Sequence, residues 1–153
     1  MAHSRTDGVS ISNSIATGAL AWVTGLVVTF VVGLLAIDVG IGLLFRIAPF
    51  EGTLAAFIYL HSGALATGIS WLVVIPAGLL VIGGMSVAPG TAGDPATGFK
   101  HGTTVAVGYA LMAGLTTVLI IDSRWFEIVD MVFAGVIFPI VFGGLGGVLA
   151  ESI

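Results

Sequence analysis

Long apolar stretches alternate with short polar clusters along this chain. Residues 15–37 carry no charged side chain, and neither do residues 52–93, 101–121 or 131–150. The hydrocarbon core of a bilayer is about 30 Å thick and needs about 20 helical residues per crossing. The pattern therefore predicts an all-α integral membrane bundle of four transmembrane helices, with spans at about residues 14–37, 64–87, 101–121 and 126–149. The apolar stretches are continuous and do not alternate at period two, which argues against a transmembrane barrel.

Residues 1–13 form a polar tail, and Asn13 or Ser14 is the expected N-cap of the first helix. Residues 14–150 form one domain. The connection between the first two spans mixes Asp38, Arg46, Pro49 and Glu51 with apolar residues, so an irregular, partly interfacial segment is expected there. The apolar stretch 53–88 is too long for one perpendicular helix. A break is expected at His61-Ser62-Gly63, with residues 53–60 leading in along the interface or in the outer leaflet. Pro76 then falls near the middle of the second span and should kink it, because proline lacks the donor and crowds the preceding turn. Residues 89–100 are rich in turn formers and read as a loop.

Small residues recur at helical spacing. Gly18, Gly25, Thr29 and Gly33 fall on or near one stripe of the first span, and Ala106, Ala110 and Gly114 on one stripe of the third. In the last span Gly135, Pro139, Gly143 and Gly147 repeat every four residues. Such stripes let neighbouring backbones approach closely. Gly25, Gly33, Ala106, Ala110, Gly114, Gly135, Gly143 and Gly147 are the candidate helix-packing residues.

Composition strengthens the membrane reading: only 8% of residues are charged, and the mean hydropathy is +1.19. The cations are Arg5, Arg46, Lys100 and Arg124, too few and too scattered for a nucleic-acid footprint. There is no cysteine, which excludes disulfides and thiolate chemistry. Acids exceed bases and lysine is nearly absent, a balance resembling that of proteins from salt-loving archaea. The first apolar run is longer than the roughly 7–15 residues of a signal-peptide core, so it reads as a retained span. Four spans place both termini on one side, and the expected site is the cell membrane with cytoplasmic termini.

The candidate functional polar residues are His61, Asp130, Asp38 and Arg46. His61 is the titratable group set inside an apolar stretch, and its simpler role is a helix-end imidazole reaching interfacial water. Asp130 lies about one turn inside the last span, where capping or snorkelling accounts for it. Asp38, Arg46, Glu51, Asp122, Arg124, Glu127 and Asp130 are expected to gather on one membrane face, as an ion-attracting mouth, a docking surface or ordinary helix-end polarity. No ionisable residue is expected at mid-depth, which argues against a proton-coupled or sodium-coupled transporter. No catalytic, metal or nucleotide motif is present. Within the apolar stretches Ser62 beside His61 is the only neighbouring nucleophile–base pair, and adjacent helical residues point apart. The chain therefore reads as a non-enzyme without a cofactor.

Three motifs carry a family resemblance: Ser4-Arg5-Thr6-Asp7 before the first span, Gly98-Phe99-Lys100 leading to Val107-Gly108-Tyr109, and Phe138-Pro139-Ile140-Val141-Phe142-Gly143-Gly144-Leu145-Gly146-Gly147. Together they resemble a group of small haloarchaeal multi-pass membrane proteins with a domain of unknown function. The resemblance implies a fold and a cell type, and it brings no activity. The expected role is a structural or accessory subunit, embedded in membrane lipid. It would pack through its glycine-rich faces in a homo-oligomer or against another membrane protein. A small oligomeric channel or transporter is the alternative.

Overall fold

The structure, a computed structural model, describes residues 10–35, 49–62, 70–88, 94–119 and 128–153. Asp38, Arg46 and most of the connection around them lie outside the described residues, as do residues 122–125 and Gly63 of the break expected at His61-Ser62-Gly63. Among the described residues the chain is helical, with no strand. The elements are α1 (Ile11–Leu35), α2 (Pro49–Ser62), a short 3-10 turn (Ser70–Val73) running into α3 (Val74–Val87), α4 (Pro95–Thr103), α5 (Val105–Leu119), α6 (Ile128–Val132), a π-helical turn (Phe133–Ile137) and α7 (Phe138–Ser152).

Three continuous helical stretches of 25 residues, Ile11–Leu35, Pro95–Leu119 and Ile128–Ser152, are long and apolar enough to cross a membrane. At 1.5 Å per residue each reaches roughly 37 Å. In the second expected span the α-helix is the 14-residue Val74–Val87, roughly 21 Å long.

Several boundaries differ from the sequence reading, each for a local reason. The N-cap of α1 is Ser10, whose hydroxyl accepts from the Asn13 N–H at 3.4 Å. Ser14 is already inside the helix and buried, and its hydroxyl accepts from that of Thr104 at 2.8 Å. The expected loop 89–100 ends early, because Asp94-Pro95 starts a helix. The Asp94 carboxylate accepts from the Ala96 N–H at 3.1 Å and from the Thr97 hydroxyl, while Pro95 occupies the first turn. Proline is favoured there because its missing donor has no partner to lose. Pro76 is the third residue of α3, which follows the 3-10 turn. In a first helical turn its missing donor costs no α-helical hydrogen bond.

The largest difference is α2. Residues 53–60 do not lead in along a surface. From Gly52 to Ile58 every residue is buried, as are Leu60 and His61. Pro49, Phe50, Thr53 and Leu54 line an apolar cavity of about 320 Å³ with Leu26, Val27 and Phe30 of α1. Further along, Phe57 and His61 meet Trp22. The helix therefore descends beside the C-terminal half of α1, antiparallel to it.

Glycines set how closely the long helices approach. A Cβ on Gly98 or Gly147 would strike the other's carbonyl oxygen, and a Cβ on Gly102 would strike that of Gly143. This pairing makes α4 antiparallel to α7. Gly84 of α3 bears on the Gly143 carbonyl, and Gly146 of α7 on that of Val81. Gly18 of α1 meets Val105 and Tyr109, while Gly108 meets Ile15. Leu79 beside Gly25 and Gly83 beside Thr17 make α3 antiparallel to α1. Such backbone contact supplies dispersion where a larger side chain would hold the helices apart.

Candidate functional site

The polar centre of the bundle is His61, near the C-terminal end of α2, at 2% exposure. Its Nδ1 lies 2.6 Å from the Phe57 carbonyl oxygen. A carbonyl only accepts, so Nδ1 carries the proton. The Nε2 of the neutral ring is then an acceptor, and the Tyr109 hydroxyl donates to it at 2.5 Å. Both ring nitrogens are engaged, and neither is left to bind a metal.

Aromatic rings enclose the pair. The Trp22 ring stacks on His61 at 5.9 Å, and Phe57 and Phe138 meet it edge-on at 4.8 and 4.7 Å. Trp22, Tyr109 and Phe138 come from α1, α5 and α7. Each lies within two residues of the midpoint of its 25-residue stretch. His61 is thus level with the middle of all three long helices. The expectation of a helix-end imidazole touching interfacial water is overturned, because α2 runs inward and not along the surface.

The partners of His61 were missed as a site in the sequence. Trp22 and Phe138 look like any apolar residue, and Tyr109 appears only within the family-like motif. One signal was available: Tyr109 is the sole phenol in the third apolar run, and a buried phenol seeks a hydrogen-bond partner.

The other candidates separate into three groups. Gly25 faces the Phe57 ring, Gly135 faces Ala113 and Ala110, and Gly143 and Gly147 make the backbone contacts described above. Gly33 and Ala106 are buried and Ala110 is half-buried. Gly114 is exposed, and among the described residues nothing lies within 4 Å of the position its Cβ would take. Asp130 is half-buried on α6. Glycines outside the candidate set carry several of the tightest contacts: Gly84, Gly98, Gly102, Gly108 and Gly146.

Two further acids have defined settings. Glu151 is buried near the end of α7, its side chain lying across Gly98. This places a carboxylate toward the start of α4, where the helix dipole favours negative charge. Asp94 is exposed at the cap of α4. The Thr97 hydroxyl and then the Ala96 N–H hold its carboxyl below the usual carboxylate range, and the charge of Lys100 adds to this.

The profile of a family of unknown function, DUF7978, matches residues 47–152. No curated protein and no solved structure matches the chain.

Proposed function

The chain belongs to the family of unknown function DUF7978, and we propose that it is a multi-pass protein of the cell membrane acting as a structural or accessory subunit. The observation that supports this is the contrast between interior and exterior. Backbone contacts at glycine close the interior. The outer faces of the long helices present Leu20, Val27, Leu34, Leu111, Leu115, Val118, Val141 and Leu149, as lipid or a membrane partner requires.

The alternation of directions supports four crossings. α1 opposes α3, α4 and α5 continue one direction, and α7 returns. With α3 and the residues before it as the fourth crossing, both termini lie on one side, taken here as cytoplasmic. The acidic, lysine-poor composition favours a haloarchaeal cell.

The glycine faces first expected to join subunits are engaged inside the protomer. Docking to a second copy, or to another membrane protein, therefore falls to the outer surface. Gly114 presents bare backbone there among Leu111, Leu115 and Val118. The role is non-enzymatic and involves no nucleic acid. Gentle extraction from native membranes followed by native mass spectrometry tests it. A stoichiometric second protein, or a defined homo-oligomer, is the expected result. A monomer under every mild condition would overturn the subunit role.

One observation favours the second reading, a small channel or transporter: an ionisable residue level with the helix midpoints, near the end of a short inward-running helix. Such groups mark ion and proton paths in membrane proteins. Flux across proteoliposomes, lost in His61→Ala, would establish it. No flux under any ion or proton gradient, with folded protein, would remove it.

A further inference from the structure

We infer that, in a protein inserted in the membrane as proposed above, the groove between the helical stretches Pro95–Leu119 and Ile128–Ser152 holds one acyl chain of an anionic phospholipid, whose phosphate is received by Lys100.

The groove follows from residue size. Its floor is Ala106, Ala110 and Gly135, which carry one side-chain carbon or none. Val107 on one stretch, and Val136 and Ile140 on the other, line it as exposed walls. Phe99 bounds one end, its ring lying against Gly144. Larger side chains thus flank a strip that has nothing to fill it, and a space of about 480 Å³ remains on the outer surface.

Its dimensions suit a hydrocarbon chain. From Phe99 to Ala110 the helical stretch rises roughly 17 Å, and one leaflet of bilayer hydrocarbon is about 15 Å deep. Spread over that length, the volume gives a cross-section of roughly 28 Å². An α-helix with its side chains is about 10 Å across and needs roughly 80 Å². The space therefore admits an acyl chain and is too narrow to seat a second helix.

Lys100 supplies the charge. It is exposed, and it is the only lysine or arginine among the described residues. Thr103 and Val107, which line the groove, follow it at helical spacing, so all three share one helix face. Residue 100 is roughly 10 Å from the midpoint of Pro95–Leu119. Its long stem leans toward the helix N-terminus and carries the ammonium to the headgroup level, about 15 Å from the midplane. The acids at this end are otherwise engaged. The Asp94 carboxylate accepts from the Ala96 N–H and the Thr97 hydroxyl, and Glu151 is buried against Gly98.

The test uses the full chain in phosphatidylcholine vesicles. Resistance to carbonate extraction is measured first, because release at that step would overturn the membrane reading itself. Inserted protein is then moved into neutral detergent, and native mass spectrometry compares bound phosphatidylglycerol with bound phosphatidylcholine. One phosphatidylglycerol should be retained, about fivefold more tightly than phosphatidylcholine. Lys100→Gln should erase that preference and Lys100→Arg should keep it. Ala110→Phe, which fills the floor, should remove the retained lipid. Equal binding of the two lipids, a preference that survives Lys100→Gln, or undiminished binding in Ala110→Phe would each overturn the lipid site. So would a dimer that excludes lipid, since a second copy would then occupy the groove. Should Ala110→Phe fail to fold, the two Lys100 variants decide.

Discussion

The hydroxyl of Tyr109 donates to Nε2 of His61 across 2.5 Å, tying α2 to α5 at the level where the three long helices reach their midpoints. His61 and Tyr109 are both buried, at 2% and 0% exposure. The bond is thus one of the few polar links inside an apolar bundle, and it has no water to replace it.

Removing one partner should cost more than removing both. Tyr109→Phe leaves a buried imidazole acceptor unsatisfied, and the expected loss is about 1–3 kcal/mol. His61→Phe leaves the phenol orphaned at similar cost. The double variant should lose less than the sum of the two. Thermal unfolding in detergent, run as a double-mutant cycle, checks this. Strict additivity would show that the bond contributes nothing.

Glycines should divide sharply by position. Gly84→Ala and Gly147→Ala place a carbon onto a neighbouring backbone carbonyl, and the helices must separate, at about 1–3 kcal/mol or more. Among the described residues, nothing lies within 4 Å of a Cβ added at Gly78 or Gly114. Alanine there should be tolerated and should gain up to about 1 kcal/mol of helix propensity. Equal responses at the two pairs of sites would contradict the backbone contacts.

The cap of α4 should weaken in acid. The Asp94 carboxyl has a lower pKa in the fold than in the open chain, because it accepts from Thr97 and Ala96. Its contribution is therefore complete above the unfolded value of about 3.9 and is lost as pH falls through the lower folded value. Asp94→Ser should retain a cap and abolish the pH dependence. Amide exchange at residues 96–98 between pH 5 and pH 2 reads the difference, after correction for the intrinsic rate.

Phe57 fills the space opened by Gly25 and meets Trp22 edge-on at 4.8 Å. Phe57→Ala should cost about 3–5 kcal/mol through the cavity it leaves. It should also loosen His61, whose Nδ1 bonds the carbonyl of the same residue. Tryptophan fluorescence, sensitive to the wall around Trp22, should shift with it.

The helices were legible because long apolar runs carry their own signal. The stripe Gly18, Gly25, Thr29 and Gly33 could be read on the first of them, and all four residues are buried in α1. The ends were less legible, since Asp94-Pro95 fits a loop as well as a cap followed by a first-turn proline. The polar centre was not legible at all. Its four aromatic neighbours come from four elements, and no local pattern announces that they will meet.

The sequence by itself determined that this chain is helical, apolar along four long stretches, and furnished with small residues where helices can approach. Those properties follow from residue type and spacing, which act over a few turns. The tertiary structure alone decided that α2 turns inward, that His61 lies among the middles of the long helices, and which glycines touch. A helix shows the same apolar face whether it lies along the bundle or runs into it. The choice is made by the partners that satisfy its one buried imidazole.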